Sequence, residues 1–241
     1  MRPRDLRCHE TSLFALYYME LFHTLNRGVD KRRIFLDSQD YSRFVYDLYE
    51  FNDQERVVDL SYRTKNSRDI VSHETKKKKR KLLVNIHCFC LMPNHYHLLL
   101  SSKVENGISL FMKKLNIGYA KYFNFKYKRT GTLFEGRFKS VTVANDAHLL
   151  YLPYYIHLNP LDLIAPTWRE RKINNSRKAV EFLENYRWSS YLDYIGKKNF
   201  PSVIDTSFLS EIIGSVDSYK KETLEWLNSM DLSVIKNLLL E

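Results

Sequence analysis

Apolar and polar residues alternate in some stretches of the chain and recur at helical spacing in others. Residues 17–26 alternate as a strand would, and the Arg-Gly-Val-Asp sequence at 27–30 ends that alternation. Behind the capping residues 37–40, apolar residues then recur at helical spacing: Tyr41, Phe44, Val45, Leu48 and Tyr49. These patterns predict a first strand and a first helix that runs to about Asn52.

The middle of the chain predicts a β-hairpin and a second helix. Residues 82–91 are almost continuously apolar, as in a buried strand, and Pro93-Asn94 signals a turn. Residues 95–100 alternate after the turn, so two adjacent antiparallel strands are expected. Residues 105–125 carry apolar side chains on one helical face and lysines elsewhere, which predicts an amphipathic helix.

A fourth strand and further helices follow. Residues 138–143 alternate, and Asn145 or Asp146 caps a helix that Pro153 would kink or restart and that Pro160 ends. Helical spacing beyond Pro160 predicts helices at about 176–185, 189–195, 207–214 and 216–240. The element order predicts an α+β fold, with helices packed on one face of a ferredoxin-like antiparallel sheet and an α-helical C-terminal extension.

Charge points to a polyanionic partner. The 241 residues include 38 Lys and Arg against 28 Asp and Glu, for a net charge of +10. Residues 1–12 form a basic arm, and the polar segment 53–81 ends in a run of six cations, which predicts a solvated insertion able to touch phosphates. The 17 Tyr and 14 Phe residues suit stacking on unpaired bases, although a role in the core is the alternative.

Cysteine usage and hydropathy predict a cytoplasmic protein without a membrane partner. Cys8, Cys88 and Cys90 cannot all pair, and the last two lie two apart on a buried strand, as reduced packing residues do. No charged-then-apolar leader opens the sequence. No apolar run approaches the ~18–20 residues that a membrane span requires.

Two histidines are the first candidate chemistry. His95 and His97 lie on the same face of the predicted strand, roughly 6–7 Å apart at their Cα atoms, so that both imidazoles could reach one metal ion. The alternative is a histidine pair on a solvated sheet face.

The helix before Pro160 carries the second candidate group. Tyr151, Tyr155 and Asn159 are spaced four apart and share one helical face. A phenol can attack phosphorus, and the Asn159 amide could join the two histidines, waters and a phosphate oxygen around Mg²⁺ or Mn²⁺, with the imidazoles favouring Mn²⁺. The alternative is that the tyrosines pack in the core and Asn159 terminates the helix.

Several sequence segments, in a fixed order, resemble one known family. They are Asn26-Arg27-Gly28, Ile34-Phe35 with Asp40-Tyr41, residues 91–100 (LMPNHYHLLL), residues 131–140 (GTLFEGRFKS), residues 155–160 (YIHLNP) and residues 186–191 (YRWSSY). Over most of residues 17–196 the chain resembles the HUH single-tyrosine transposases, and within them the REP-associated tyrosine transposase branch.

The resemblance implies roles for these residues. His95 and His97 would bind the divalent metal, Mg²⁺ or Mn²⁺, Tyr155 would be the nucleophile, and Asn159 would supply a third ligand, with Tyr154 as the rival nucleophile. The implied chemistry cleaves single-stranded DNA at hairpin repeats through a 5′-phosphotyrosine and releases a 3′-hydroxyl. A second 3′-hydroxyl can then reverse the step. A phenol has a reference pKa of about 10, so attack near neutrality needs a metal, a base or positive charge.

Further expectations concern DNA contacts and domain organisation. We expect residues 1–160 to form the catalytic domain and 161–241 an α-helical region, in a monomer or a homodimer. The insertion at 53–81 and the region beyond about Gly196 depart from the family pattern. Candidate DNA contacts, each with a structural alternative, are Arg27, Lys113, Lys114, Lys121 and Arg137.

Three functions remain open at this point. The first is a metal-dependent tyrosine endonuclease and strand transferase. The second is a catalytically silent DNA- or RNA-binding protein of the same fold. The third is a metal-dependent phosphoesterase that uses water, with Tyr155 only structural. A covalent protein–DNA adduct distinguishes the first from the other two.

Overall fold

The computed structural model describes residues 19–55, 80–170 and 172–229. The basic arm, most of the 53–81 insertion and the end of the last predicted helix lie outside these residues. Four antiparallel strands form one sheet in the order β2-β3-β1-β4. The strands are β1 (Leu21–Arg27), β2 (Val84–Met92), β3 (His95–Ser102) and β4 (Lys139–Thr142). With β1 and β3 central, this is the ferredoxin-like arrangement, and the predicted α+β class is confirmed.

Some of the helices begin at a residue whose side chain caps the first turn. The helices are α1 (Ser38–Glu50), α2 (Gly107–Lys126), α3 (Asp146–Leu158), α4 (Ser176–Asn185), α5 (Tyr191–Tyr194), α6 (Ser207–Ile213) and α7 (Val216–Ser229). Asp37 caps α1 by accepting from the amide of Asp40, and Asn145 caps α3 by accepting from the amide of His148. The helix α3 continues through Pro153 and does not restart there.

Alternation along β3 divides the core into two layers. Tyr96, Leu98 and Leu100 pack with α1 and α2 on one face of the sheet. Leu99, together with Cys88 and Cys90 of β2, packs with α3 and the C-terminal helices on the other face. Helices were predicted on one face of the sheet, and α1 and α2 lie there. The helix α3 and the C-terminal helices cover the opposite face. His95 and His97 point to this second face.

The C-terminal region covers the free edge of β2. The Leu91 amide donates to the Trp188 carbonyl at 2.9 Å, the Ser190 amide to Phe89 at 3.0 Å, and the Asp205 amide to Ile86 at 2.8 Å. Residues beyond 160 therefore share the core of the sheet, and the boundary placed at 160 stays a prediction. Cys88 and Cys90 are buried free thiols. Among the described residues, no helix combines the length and apolarity needed to cross a membrane.

Candidate active site

The pairing of β1 with β3 collects the histidines on one face of the sheet. His95 is paired with Arg27, His97 with Leu25, and Leu99 with His23. Paired residues of antiparallel strands point to the same face, and on this face the rings of His23 and His97 lie against Tyr155 of α3. The rings of His95 and His97 lie 5.0 Å apart between centroids and nearly perpendicular. His97 is fully buried whereas His95 keeps 7% of its surface exposed, so the site opens to solvent at His95.

Asn94 in the hairpin turn orients the ring of His95. Its amide nitrogen donates to the Lys31 carbonyl at 3.3 Å, and its Oδ1 lies 2.7 Å from Nδ1 of His95. A carbonyl only accepts, which places the amide oxygen toward the imidazole, and that oxygen can only accept in turn. His95 Nδ1 therefore carries the proton, and the lone pair of the neutral ring lies on Nε2, the atom that would bind a metal.

A third histidine, His23, holds His97 from the neighbouring strand. His23 Nε2 and His97 Nδ1 are 2.9 Å apart, and the two rings stack with centroids 5.2 Å apart. Both residues are fully buried. Burial, followed by the nearby charges of Arg169 and Arg27, lowers the pKa of His97 to about 3. His97 is thus neutral at physiological pH, which is the form that binds metals.

Tyr155 lies above these histidines, and Tyr154 does not. The Tyr155 ring is 5.8 Å from the His97 ring and 6.1 Å from the His23 ring, edge-on to both. Tyr154 instead donates a 2.7 Å hydrogen bond to Glu222 and stacks on Trp226 of α7. Burial and the adjacent Glu222 carboxylate raise the pKa of Tyr154. Of the two tyrosines, Tyr155 is the one that lies at the histidines, and its role as the nucleophile stays a prediction.

Asn159 follows Tyr155 by one turn and contacts an arginine. Its Nδ2 donates to the Tyr155 carbonyl at 2.8 Å, and its Oδ1 accepts from Nη2 of Arg169 at 2.9 Å. Arg169 also pairs with Asp162, and its guanidinium carbon lies 5.7 Å from the Tyr155 ring centroid. A ligand role for Asn159 requires its amide oxygen to turn from Arg169 to the metal, and that role stays a prediction.

The cations predicted to contact DNA divide into two groups. Arg27 faces the site, and within the described chain its Nε is buried without a hydrogen-bond partner. Arg137 is exposed on a loop tied to the same end of β1, where the Glu135 amide donates to the Arg27 carbonyl at 2.9 Å. Lys113, Lys114 and Lys121 lie on α2, which covers the opposite face of the sheet.

Lys114 already has partners within the chain. Its Nζ donates to the backbone carbonyls of Asp53 and Glu55, so it connects α2 to the segment after α1. Lys113 and Lys121 are exposed on the same helix. A DNA strand at Tyr155 would have to cross to the far side of the sheet to reach these three lysines.

The donor set fits a divalent cation in part. Two neutral imidazoles from one strand face are ordinary ligands for Mn²⁺ and similar ions, and His95 is held with its Nε2 lone pair available for coordination. Among the described residues, no cluster of three or more His, Cys, Asp and Glu is arranged to hold a metal. The histidine pair would therefore need an amide, water or substrate oxygen to complete coordination.

Three site residues were not predicted from the sequence. His23 lay in the predicted first strand but was given no role, since its contact with His97 depends on strand register. Asn94 was interpreted only as a turn residue. Arg169 belongs to a short 3₁₀ turn (Trp168–Glu170) for which no element was predicted. For His23 a signal was available in the alternation of residues 17–26, because that alternation assigns its side chain to one face of the predicted strand.

A family model agrees with the motif analysis over part of the chain. Residues 57–159 match the family model described as "Transposase IS200 like". This segment holds His95, His97, Tyr155 and Asn159, and the resemblance inferred from the motifs is confirmed for it. A solved structure described as "Structure of the REP associates tyrosine transposase bound to a REP hairpin" aligns with 85% of this chain and 96% of that chain, at 12% identity and a TM-score of 0.43. No curated protein matches the sequence.

Proposed function

We propose that this chain, which over residues 57–159 has the sequence of an IS200-like transposase, cleaves and rejoins single-stranded DNA with Tyr155 as the nucleophile. The observation that carries the proposal is the convergence of Tyr155 from α3 on the His95–His97 face of β3, with ring centroids of Tyr155 and His97 5.8 Å apart. A phenol beside two metal-binding imidazoles is the arrangement that tyrosine attack on a phosphodiester needs.

The proposed reaction exchanges one phosphate ester bond for another. The Tyr155 hydroxyl loses its proton, its Oη forms a bond to phosphorus, and the bond from phosphorus to the 3′ oxygen breaks. The 3′ oxygen leaves and takes up a proton as a hydroxyl, while the 5′ side stays attached to Tyr155. Attack by a second 3′-hydroxyl reverses these changes and joins two strands without another energy source.

His95 and His97 would hold the divalent cation, Mg²⁺ or Mn²⁺, which when bound withdraws charge from the scissile phosphate. Asn94 keeps the proton of His95 on Nδ1. His23 can accept the Nδ1 proton of His97, which leaves the Nε2 lone pair of His97 to the metal. Each histidine thus has a partner that sets its tautomer.

Positive charge would assist the tyrosine. Arg169 lies 5.7 Å from the Tyr155 ring, and Arg27 faces the same site from β1. Their guanidinium groups would stabilise a phenolate and bind the phosphate as its charge grows. Tyr155 is fully buried, so the DNA has to displace part of its cover before the hydroxyl can attack.

A covalent adduct tests this function. The purified protein is incubated with a pool of labelled single-stranded DNAs that carry genomic hairpin repeats, with Mn²⁺ or Mg²⁺, and run on a denaturing protein gel. We expect a metal-dependent labelled band that is lost in Tyr155→Phe and His95→Ala and retained in Tyr154→Phe. Cleavage without an adduct would indicate water as the nucleophile, and binding without cleavage would indicate a silent DNA-binding protein.

A further inference from the structure

The last described helix, α7, packs along α3, the helix that carries Tyr155. It lies outside residues 57–159, the segment that matches the transposase family model. Three side chains of α7 contact α3: Tyr219, Glu222 and Trp226. We infer that α7 positions the nucleophile, because its contacts fix the rotation of α3 about the helix axis and so the place of the Tyr155 hydroxyl over the histidines.

The contacts with α7 lie on a different side of α3 from Tyr155. Successive helical residues are turned by about 100°, so Tyr154 is roughly 100° and His157 roughly 160° from Tyr155 around the axis. Tyr155 is directed at the rings of His97 and His23, whereas Tyr154 and His157 are directed at α7. A rotation of α3 that displaces Tyr155 therefore disturbs both contacts with α7.

Tyr154 is held by two side chains of α7. Its hydroxyl donates to Oε2 of Glu222 at 2.7 Å, and its ring stacks on Trp226 with centroids 4.4 Å apart and 9° between the planes. Glu222 is itself oriented, because Ser218, one turn earlier, donates to its Oε1 at 2.7 Å. Trp226 also meets the ring of Tyr151 edge-on, with centroids 4.2 Å apart. These contacts fix the side chain that immediately precedes the nucleophile.

His157 connects α7 to the sheet. Its Nδ1 lies 2.6 Å from the Tyr219 hydroxyl, and its Nε2 lies 2.8 Å from Oγ of Ser190. Ser190 Oγ in turn accepts from the amide of Phe89 on β2 at 2.8 Å. All of these residues are buried, and β2 pairs with β3. The rotation of α3 is thus set relative to the hairpin that carries the two candidate metal ligands.

The packing of α3 on the sheet does not supply this direction. The helix rests on the sheet through apolar side chains such as Leu152 and Ile156, and hydrophobic packing is not directional. Hydrogen bonds are directional, and α7 provides them for Tyr154 and His157. Attack requires the reacting atoms at about 3–3.5 Å, and a displacement of about 1 Å can cost about 100-fold in rate.

This inference rests on the proposed function, because it concerns the nucleophile of that reaction. The side chains of α7 act through α3, so they are positioning residues. Their loss should slow the attack by Tyr155 while the affinity for DNA stays the same.

The test removes a carboxylate from each of two positions of α7. Glu222→Ala removes the acceptor of the Tyr154 hydrogen bond, and Glu222→Gln keeps an amide oxygen there. Glu225→Ala, at an exposed position of the same helix, is the matched control. Fluorescence anisotropy in EDTA measures the affinity for labelled repeat hairpins, and excess Mn²⁺ added to the DNA-saturated protein then gives the single-turnover rate of adduct formation. Thermal unfolding of each variant sets a temperature at which all of them are folded.

Glu222→Ala should form the adduct about tenfold more slowly than the parent, with the affinity for DNA changed less than about twofold. Glu222→Gln should regain most of the rate, and Glu225→Ala should react at the parent rate. Tyr154→Phe should be as slow as Glu222→Ala and still give the adduct at the end point. Adding Glu222→Ala to Tyr154→Phe should have no further effect, because the hydroxyl through which Glu222 acts is already absent.

Equal rates for Glu222→Ala, Glu225→Ala and the parent would overturn the inference and leave adduct formation, and so the proposed function, intact. A slow Glu222→Ala variant that Glu222→Gln does not restore would also overturn it. A parent that forms no adduct would overturn both. If Glu222→Ala does not fold, Tyr219→Phe takes its place, because it removes only the hydroxyl that contacts His157 and should slow the adduct to a similar extent.

Discussion

The Nε2 atom of His23 on β1 lies 2.9 Å from the Nδ1 atom of His97 on β3. A buried imidazole pair at this distance must share one proton, because one nitrogen has to donate and the other accept. If His97 binds a metal through Nε2, its proton lies on Nδ1 and His23 is the acceptor. In that case the hydrogen bond to His23 keeps the proton of His97 on Nδ1 and leaves Nε2 for the metal.

Replacing His23 tests this relationship. His23→Leu removes the acceptor, and we expect Mn²⁺ to bind about 10–100-fold more weakly, as happens when the partner of a metal-binding histidine is lost. His23→Gln places an amide oxygen near the position of Nε2 and should restore most of the affinity. Titration of Mn²⁺ followed by electron paramagnetic resonance measures binding without reference to activity. Equal affinities for the Leu and Gln variants would show that His23 only packs against His97.

Removing Arg169 should slow the attack by Tyr155. Its guanidinium is near the phenol ring and holds Asn159 Oδ1, so Arg169→Gln removes positive charge at the point where negative charge develops. We expect the single-turnover rate of adduct formation to fall about 100-fold, with DNA affinity changed much less. Arg177→Gln, an exposed arginine of α4, is the matched control. An unchanged rate in Arg169→Gln would exclude a role for this charge in the reaction.

The buried histidines predict lower stability in acid. Burial lowers the pKa of His87 and His148 to about 4 and that of His97 and His157 to about 3, whereas an unfolded histidine titrates near 6.5. Between about pH 6.5 and 4 the unfolded chain thus binds more protons than the folded chain. As the pH falls through that window, each imidazole lowers the free energy of unfolding by about 1.4 kcal/mol per pH unit. Asp47, whose pKa burial raises to about 7, opposes one of the four imidazoles, so the net sign holds.

Denaturant unfolding at several pH values measures this slope. His157→Gln can keep hydrogen bonds to Tyr219 and Ser190, which contact the two ring nitrogens at 2.6 and 2.8 Å, but it cannot titrate. The variant should therefore lose about one quarter of the summed imidazole slope. A free energy of unfolding that stays constant from pH 6.5 to 4 would contradict the assignment of these rings as buried and neutral.

Asn52 should be a determinant of stability where the chain enters β2. Its side chain accepts from the amides of Leu83 and Val84 and donates to the Val84 carbonyl, all within 2.9–3.0 Å. Asn52→Ala leaves these buried groups unpaired, and we expect a loss of about 3 kcal/mol in the free energy of unfolding. Asn185→Ala is the control, since Asn185 is exposed and its side chain donates to the Glu181 carbonyl of its own helix. Equal melting temperatures for both variants would show that water replaces the Asn52 contacts.

Local patterns were sufficient for the strand and the helix that carry the candidate site. The turn at Pro93-Asn94 and the alternation after it placed His95 and His97 on one face, and spacing by four placed Asn159 one turn beyond Tyr155. These predictions depend on neighbours in sequence, where the periods of strands and helices are decisive. The cap at Asn145 and the bounds of α4 follow from the same local chemistry.

Contacts between distant segments were beyond such patterns. The His23–His97 pair joins residues 74 positions apart and follows from the register of β1 and β3. Arg169 reaches Tyr155 from a 3₁₀ turn without periodicity. Lys114 is a residue type that often contacts DNA, yet its ammonium group donates to two backbone carbonyls. The sequence pattern does not reveal these contacts. Tertiary packing decides such roles, and residue type alone does not.

The most direct test of the central claim is to locate the DNA on the protein. The adduct formed with Mn²⁺ is digested with nuclease and trypsin, and tandem mass spectrometry of the peptide that contains Tyr154 and Tyr155 identifies the modified residue. We predict a phosphate-linked nucleotide remnant on Tyr155, in a peptide whose Tyr154 is unmodified. A remnant on Tyr154, or on a residue outside α3, would contradict the account.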